Sequence, residues 1–253
     1  MFTLAGLVPE AKPIVEKAAS IYVSETAPWF VGIIAHGSAV KGGFISGCSD
    51  IDLLLFLERA AFVEDHLPLQ LCETVQRELA KINPAPFSYI QCYALSGEQH
   101  KDKNWAGPIP GGYRLLAGRL PIAEATREQL LDSAREKLAR LPSEIAYYHA
   151  GLLQHGAGRV ERHIRLLCTS VWPTLNHVLS LQQNNPIEVW NLTKLQAIEN
   201  LPAQAPMGHA IRLFYQAITV YYPSGSSLDA GLEAVRHGIS FLQAVNSWWK
   251  SHK

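Results

Sequence analysis

Residues 30–57, FVGIIAHGSAVKGGFISGCSDIDLLLFL, constrain the fold of this chain more than any other stretch. An apolar run ends in His36-Gly37-Ser38, an eleven-residue spacer follows, and Asp50 and Asp52 stand at the mouth of a second apolar run. Side chains at i and i+2 of a strand leave the same face, so the two carboxylates project together while Ile51 turns into a core. A carboxylate pair of this kind suits Mg²⁺, which is commonly held by one or two carboxylates plus substrate phosphates. In two-metal phosphoryl sites the carboxylate oxygens bridge ions about 3.5–4 Å apart. On the other side of the spacer, glycine at position 37 permits close backbone approach. The N–H groups after it, with the Ser38 hydroxyl, can cradle a phosphate.

Strand, Gly-Ser turn, spacer, Asp-Ile-Asp and then Leu-Leu-Leu resembles the signature of the nucleotidyltransferase superfamily that includes DNA polymerase beta. Gly37, Ser38, Asp50 and Asp52 match it position by position. The resemblance implies an α+β protein whose first domain is a small mixed sheet with flanking helices. It also implies Gly37 and Ser38 on the nucleotide phosphates, and Asp50 and Asp52 on magnesium, with two ions expected.

Composition narrows the partners. The chain has 253 residues, enough for one large or two modest domains with proper cores. Its 22 basic and 22 acidic residues cancel, so no overall field favours a nucleic-acid backbone. The four cysteines, at 48, 72, 92 and 168, form no C-x-x-C pair and no zinc spacing, which predicts reduced and mostly buried thiols. No segment approaches the ~18 uninterrupted apolar residues of a membrane span, and the first residues lack a signal-peptide pattern. The expectation is a soluble, cytoplasmic protein with no membrane partner.

Along the chain, residues 9–24 and 67–82 read as amphipathic helices, the second with a stripe of Leu67, Leu71, Val75, Leu79 and Ile82. After the breaker Asn83-Pro84-Ala85-Pro86, residues 87–95 read as a third strand. The superfamily carries a third carboxylate on this strand, as metal ligand or as the base that takes the acceptor's proton. Here Gln91 occupies that place. An amide can hydrogen-bond but cannot accept a proton at useful pH. Three readings stay open: Gln91 orients the acceptor while another base works, the acid comes from Glu98, Asp102 or Glu144, or catalysis has been lost. The polar loop over residues 96–112 is long enough to suggest a task, with Trp105 offering a flat apolar face.

The second half changes character. Helices are predicted over residues 124–141, 143–154, 159–181, 187–201, 208–221 and 228–250, separated by Pro142, Gly156-Ala157-Gly158, Asn184-Asn185-Pro186 and further Pro/Gly breaks. Pro173 should kink the third of them. The division expected is a nucleotidyltransferase domain over residues 1–120 and an all-helical bundle over 121–253. That layout resembles the aminoglycoside adenylyltransferases of the streptomycin/spectinomycin type. Residues 192–197, LTKLQA, are similar to a stretch of that family where a lysine reaches the triphosphate, which would give Lys194 that role. Arg159, Arg162 and Arg165 share roughly one helical face. His149, His155 and His163 read as surface or capping groups, and the aromatics Trp172, Trp190, Tyr215, Tyr221, Tyr222, Trp248 and Trp249 as bundle core.

The function these readings converge on is magnesium-dependent transfer of a nucleotidyl group, AMP from ATP, to a hydroxyl of a small molecule such as an aminoglycoside, releasing pyrophosphate. Two alternatives remain beside it. One modifies a protein hydroxyl. The other is a catalytically impaired nucleotide-binding regulator, motivated by Gln91.

Overall fold

Ile51, Leu53, Leu55 and Leu57 alternate with Asp52, Leu54 and Phe56 along β2 (Ile51–Leu57), and this alternation organises the first half of the protein. The odd-numbered set packs into a core with Ile33 and Ala35 of β1 (Phe30–His36) and Ile14, Val15, Ala18 and Tyr22 of α1 (Lys12–Glu25). The even-numbered side chains leave the other face, where Leu54 and Phe56 join Ile34 and Leu95 in a smaller apolar cluster. Asp52 belongs to that second face. The computed structural model describes residues 2–97, 106–224 and 227–252, and the chain divides into two compact units, Met1–Ala125 and Thr126–Lys253.

In the first unit the described residues form a four-stranded mixed sheet in the order β3-β2-β1-β4. β1 pairs antiparallel with β2 and with β4 (Tyr113–Gly118), while β3 (Ile90–Leu95) runs parallel to β2. The parallel connection requires a crossover, supplied by α3 (Leu69–Leu79). Val75 and Leu79 of α3 reach the main core only half-buried, so this helix covers it less fully than its stripe suggests. α1 carries a proline in its first turn, where a missing N–H breaks no helical bond. At its other end the Thr26 hydroxyl donates to the Tyr22 carbonyl at 2.6 Å.

β4 is an element that the sequence reading leaves out. Its register with β1 shifts between Ile33 and Ile34, which breaks the period-2 pattern. Gly118 ends the strand at φ 73°, and a Cβ there would stand 2.2 Å from the Val31 carbonyl oxygen.

The second unit contains α4 (Arg127–Gly151), α5 (Arg159–Gln183), α6 (Pro186–Asn191), α7 (Lys194–Glu199), α8 (Pro206–Ser224) and α9 (Leu228–His252). α4 begins with a capping box: Thr126 Oγ1 accepts from the Gln129 amide, and the Gln129 side chain accepts from the Thr126 amide. It then runs through Pro142 without a break, against the expectation of two helices. Proline removes the amide that would bond the carbonyl four residues back. Leu138 and Leu141, both fully buried beside it, show that packing outweighs that loss. The opposite correction applies downstream, where one expected helix over 187–201 is two. Thr193 caps a new helix at α7 through a second capping box with Gln196.

α5 is packed by α4, α6, α7 and α9, and its buried face includes Ile164, Leu167, Val171, Leu175 and Val178. His163 is buried in the same face, contrary to its reading as a surface group. Of the aromatic set, Tyr221 is fully buried and the others are partly exposed. The cysteines are free, but Cys72 is exposed and the other three half-buried, so they are less buried than expected. Among the described residues no helix is long and apolar enough to cross a membrane.

Replacing Gly118 by alanine should destabilise the first unit by about 2–4 kcal/mol, from left-handed backbone strain plus the clash with Val31. Urea denaturation followed by Trp fluorescence would measure it. A change below 0.5 kcal/mol, about the size of an ordinary surface substitution, would contradict the close approach of β1 and β4.

Candidate active site

One row of paired residues crosses the sheet at the end of β1. Gln91 of β3 is in register with Asp52, Asp52 with His36, and His36 with Tyr113 of β4. Register partners project from the same face, so these four side chains share the face that carries Leu54 and Phe56. Asp50 lies two residues before Asp52, immediately before β2 begins.

The turn after β1 folds back onto this row. Gly37 adopts φ 69° and ψ −145°, which only glycine reaches without cost, and it opens the one-turn helix α2 (Ser38–Lys41). A Cβ on Gly37 would lie 2.3 Å from Asp52 Oδ2. The carboxylate therefore rests directly against the glycine backbone. Ser38 is buried, and its hydroxyl donates to the Asp50 carbonyl at 3.3 Å, linking the turn to the chain that enters β2. The spacer is tied down as well. Ser49 Oγ accepts from the Ile45 amide at 2.9 Å, and the Ser49 carbonyl accepts from the Ser88 amide at 2.8 Å. Gly37, Ser38, Asp50 and Asp52 are thus brought together.

Gln91 joins them through the register of β2 with β3, and its Oε1 accepts from the Tyr89 hydroxyl at 3.1 Å. Two residues on, Tyr93 is 59% exposed on the same face, so the sheet is open beside the acids. On the far side of the row, Tyr113 donates its hydroxyl to Glu124 Oε1 at 2.9 Å. Burial, and that bond to a carboxylate, push the phenol up. The sequence reading gives no site role to His36 or Tyr113, which the pairing of β1 with β4 brings into the row.

Burial holds the His36 imidazole well below its ordinary range, at about 4, with Lys41 acting in the same direction and Asp50 opposing. It is neutral at physiological pH. With Gln91 also neutral, the two residues in register beside Asp52 add no charge. Among the described residues no group of three His, Cys, Asp or Glu could hold a metal ion. Two carboxylates with a glycine turn against them still fit Mg²⁺ when substrate phosphates complete its ligand set. The absence of a Cβ at position 37 leaves room for the Asp52 carboxylate beside the turn.

Lys194 is in the second unit, at the first position of α7, with Nζ 5.8 Å from the Trp172 ring centroid. Glu144 is inside α4, not in a first turn. Its carboxylate accepts from Lys137 Nζ at 2.6 Å and from the Ser170 hydroxyl at 2.5 Å, so it is already engaged. Glu98, Asp102 and Trp105 lie outside the described residues.

In structure, the chain is similar to spectinomycin adenyltransferase AAD(9) from Enterococcus faecialis, solved with ATP and spectinomycin. The likeness has a TM-score of 0.52 at 14% identity, and it covers 94% of this chain and 98% of that one. The likeness shows that the two chains share a fold. No family model matches the chain, and no curated protein matches it in sequence. In this fold the Gly-Ser turn and the Asp-x-Asp segment sit side by side although eleven residues separate them in sequence.

His36 should stay neutral from pH 8 down to about 4, as read by the ¹³Cε1 shift of the imidazole. The unfolded chain protonates this histidine near pH 6.5, so its contribution to stability is full above that value. It is lost as pH falls toward 4, by on the order of 2–3 kcal/mol. Titration of His36 near pH 6.5 in the native protein would contradict its placement.

Proposed function

We propose that this protein transfers a nucleotidyl group, AMP from ATP, to a hydroxyl of a small polyhydroxylated acceptor of the aminoglycoside kind, releasing pyrophosphate. The approach of Gly37 to Asp52 carries the reading, because it sets the backbone of a Gly-Ser turn beside a carboxylate pair. The fold shared with an adenyltransferase solved with ATP and spectinomycin supports the same class of reaction.

Asp50 and Asp52 would hold magnesium. When bound, it neutralises phosphate charge and stabilises the attacking and leaving oxygens of an in-line displacement. The chain's own contribution is positioning. The backbone after Gly37 and the Ser38 hydroxyl hold the terminal phosphates, and Ser38 exchanges its 3.3 Å bond to the Asp50 carbonyl for a phosphate oxygen. Lys194, on the second unit, supplies a flexible point charge to the triphosphate. Gln91 orients the acceptor hydroxyl through its amide and leaves the proton to another group. Neutral His36 adds no positive charge that would compete for the carboxylates.

Pyrophosphate release should require Mg²⁺, ATP and an acceptor from an aminoglycoside panel. Asp52→Asn should lower it by ~10²-fold or more with the fold intact by circular dichroism. Gly37→Ala should do the same by pushing the Asp52 carboxylate out of place. Full activity in either variant would sink the proposal.

The position of Gln91 beside Asp52 favours one second reading, a nucleotide-binding regulator without turnover. Calorimetry and pyrophosphate assay on the same preparation separate the two. Nucleotide binding with no release under any acceptor, and release gained in Gln91→Glu, would select the regulator. Release by the unaltered protein would exclude it.

A further inference from the structure

Tyr89 holds the amide that stands beside Asp52. It immediately precedes β3 and is 42% exposed, yet its backbone is fixed. The Tyr89 carbonyl accepts from the Ile51 amide at 3.0 Å, and one residue earlier the Ser88 amide donates to the Ser49 carbonyl at 2.8 Å. Ile51 is the residue between the two acids. Tyr89 is therefore tied to the same stretch of backbone that carries Asp50 and Asp52. Residues i and i+2 of an extended chain share a face, which puts the phenol within reach of the Gln91 side chain.

The hydrogen bond between them has a direction. The Tyr89 hydroxyl donates to Gln91 Oε1 at 3.1 Å. The reverse arrangement, with the amide nitrogen donating to the phenol, is the weaker one. A phenol titrates near pH 10 and is a far stronger acid than a carboxamide, while an amide carbonyl accepts better than a phenol oxygen. Asp52, in register with Gln91 on the neighbouring strand, acts in the same sense. A carboxylate repels the carbonyl end of a nearby amide dipole and attracts its N–H end. Phenol and carboxylate thus agree on one orientation of the amide.

That orientation sets what the position can bind. Gln91 is half-buried, and its Nε2 donates to nothing among the described residues. A carboxylate at position 91 could only accept hydrogen bonds. An amide whose carbonyl is already taken presents donors. The face around it is open, as the exposure of Tyr93 shows.

We propose that Tyr89 is a positioning residue that fixes Gln91 with its N–H end presented, so that Nε2 donates to the oxygen of the acceptor hydroxyl. The inference rests on the transfer reading above for what binds at the amide, and it sharpens the acceptor's chemistry. A hydroxyl has lone pairs for the Nε2 donors. An ammonium has only donors of its own and is refused. The modified group is then an oxygen even on an acceptor rich in amines.

The test has a spectroscopic and a kinetic arm, both on the full-length protein. In the first, the Gln91 side-chain amide is read by its ¹³Cδ and ¹⁵Nε2 shifts, assigned through its own Cβ and Cγ. Tyr89→Phe keeps the ring and removes the hydroxyl, and it should move ¹³Cδ upfield while leaving ¹⁵Nε2 nearly in place. A shift confined to ¹⁵Nε2, or none at either nucleus, would overturn the proposal. In the second arm, pyrophosphate release is followed with Mg²⁺, ATP and the aminoglycoside panel, streptomycin and spectinomycin included. Tyr89→Phe should lower kcat/KM for the acceptor about tenfold, the worth of one hydrogen bond near the upper end of the usual range, with KM for ATP unchanged. In a Gln91→Ala background the same substitution should have no further effect, because Tyr89 acts only through the amide. Additive losses, or an equal loss toward ATP, would mark a merely structural role and overturn the proposal while the transfer reading stands. No release by the unaltered protein with any acceptor would overturn both together.

Discussion

The antiparallel register of β1 with β2 is the constraint on which the rest of the first unit depends. Pairing His36 with Asp52 seats the turn at Gly37 directly over the carboxylate that leaves β2. The same register sends Ile51, Leu53, Leu55 and Leu57 to the α1 side and Asp52 to the open face. A slip of one residue would exchange the two sets, burying a carboxylate among leucines and exposing the apolar row. Core formation and site formation are therefore one event. The free energy that fixes the leucines also fixes the acids.

Charge in the row follows from the same placement. Asp52 has a neutral amide on one side and, on the other, an imidazole that burial keeps neutral. Neither register neighbour of Asp52 carries a full positive charge. Tyr89 and Tyr113 extend the row with hydroxyls rather than charges, one to Gln91 and one to Glu124. An arrangement of this kind favours binding of a positively charged species and gives little to a bare anion. It suits phosphate approach only where backbone amides are presented, at the Gly37 turn.

In the second unit, burial settles questions that local propensity poses. α4 and α5 each carry a proline inside 25 residues of helix, and each continues because its apolar face is covered by neighbours. Polar side chains enter the same buried surfaces where a partner exists. Glu144 is held between Lys137 and Ser170, and the Tyr148 hydroxyl donates to the Leu166 carbonyl at 2.7 Å. His163 Nε2 is the contrasting case, buried with no hydrogen-bond partner among the described residues.

The residues of the candidate site that stand close in sequence were legible without coordinates. A glycine-serine turn after one strand and two acids at the start of the next are local patterns, and strand periodicity places Asp52, while Asp50 lies just before β2. The small mixed sheet and the helical second half were legible for the same reason, as period 2 gives way to a helical repeat. Tertiary structure alone decided the rest. β4 escapes local reading because its bulge and terminal glycine break the alternation, and only β1 makes it a strand. Pro142 reads as a break because a single helix cannot show what lies against Leu138 and Leu141. His163 reads as a surface group because its burial comes from Gly151 and Tyr148 on another helix. Periodicity and turn chemistry are set within a few residues of chain. Register between distant strands, and the burial of one helix by another, depend on contacts that no short window contains.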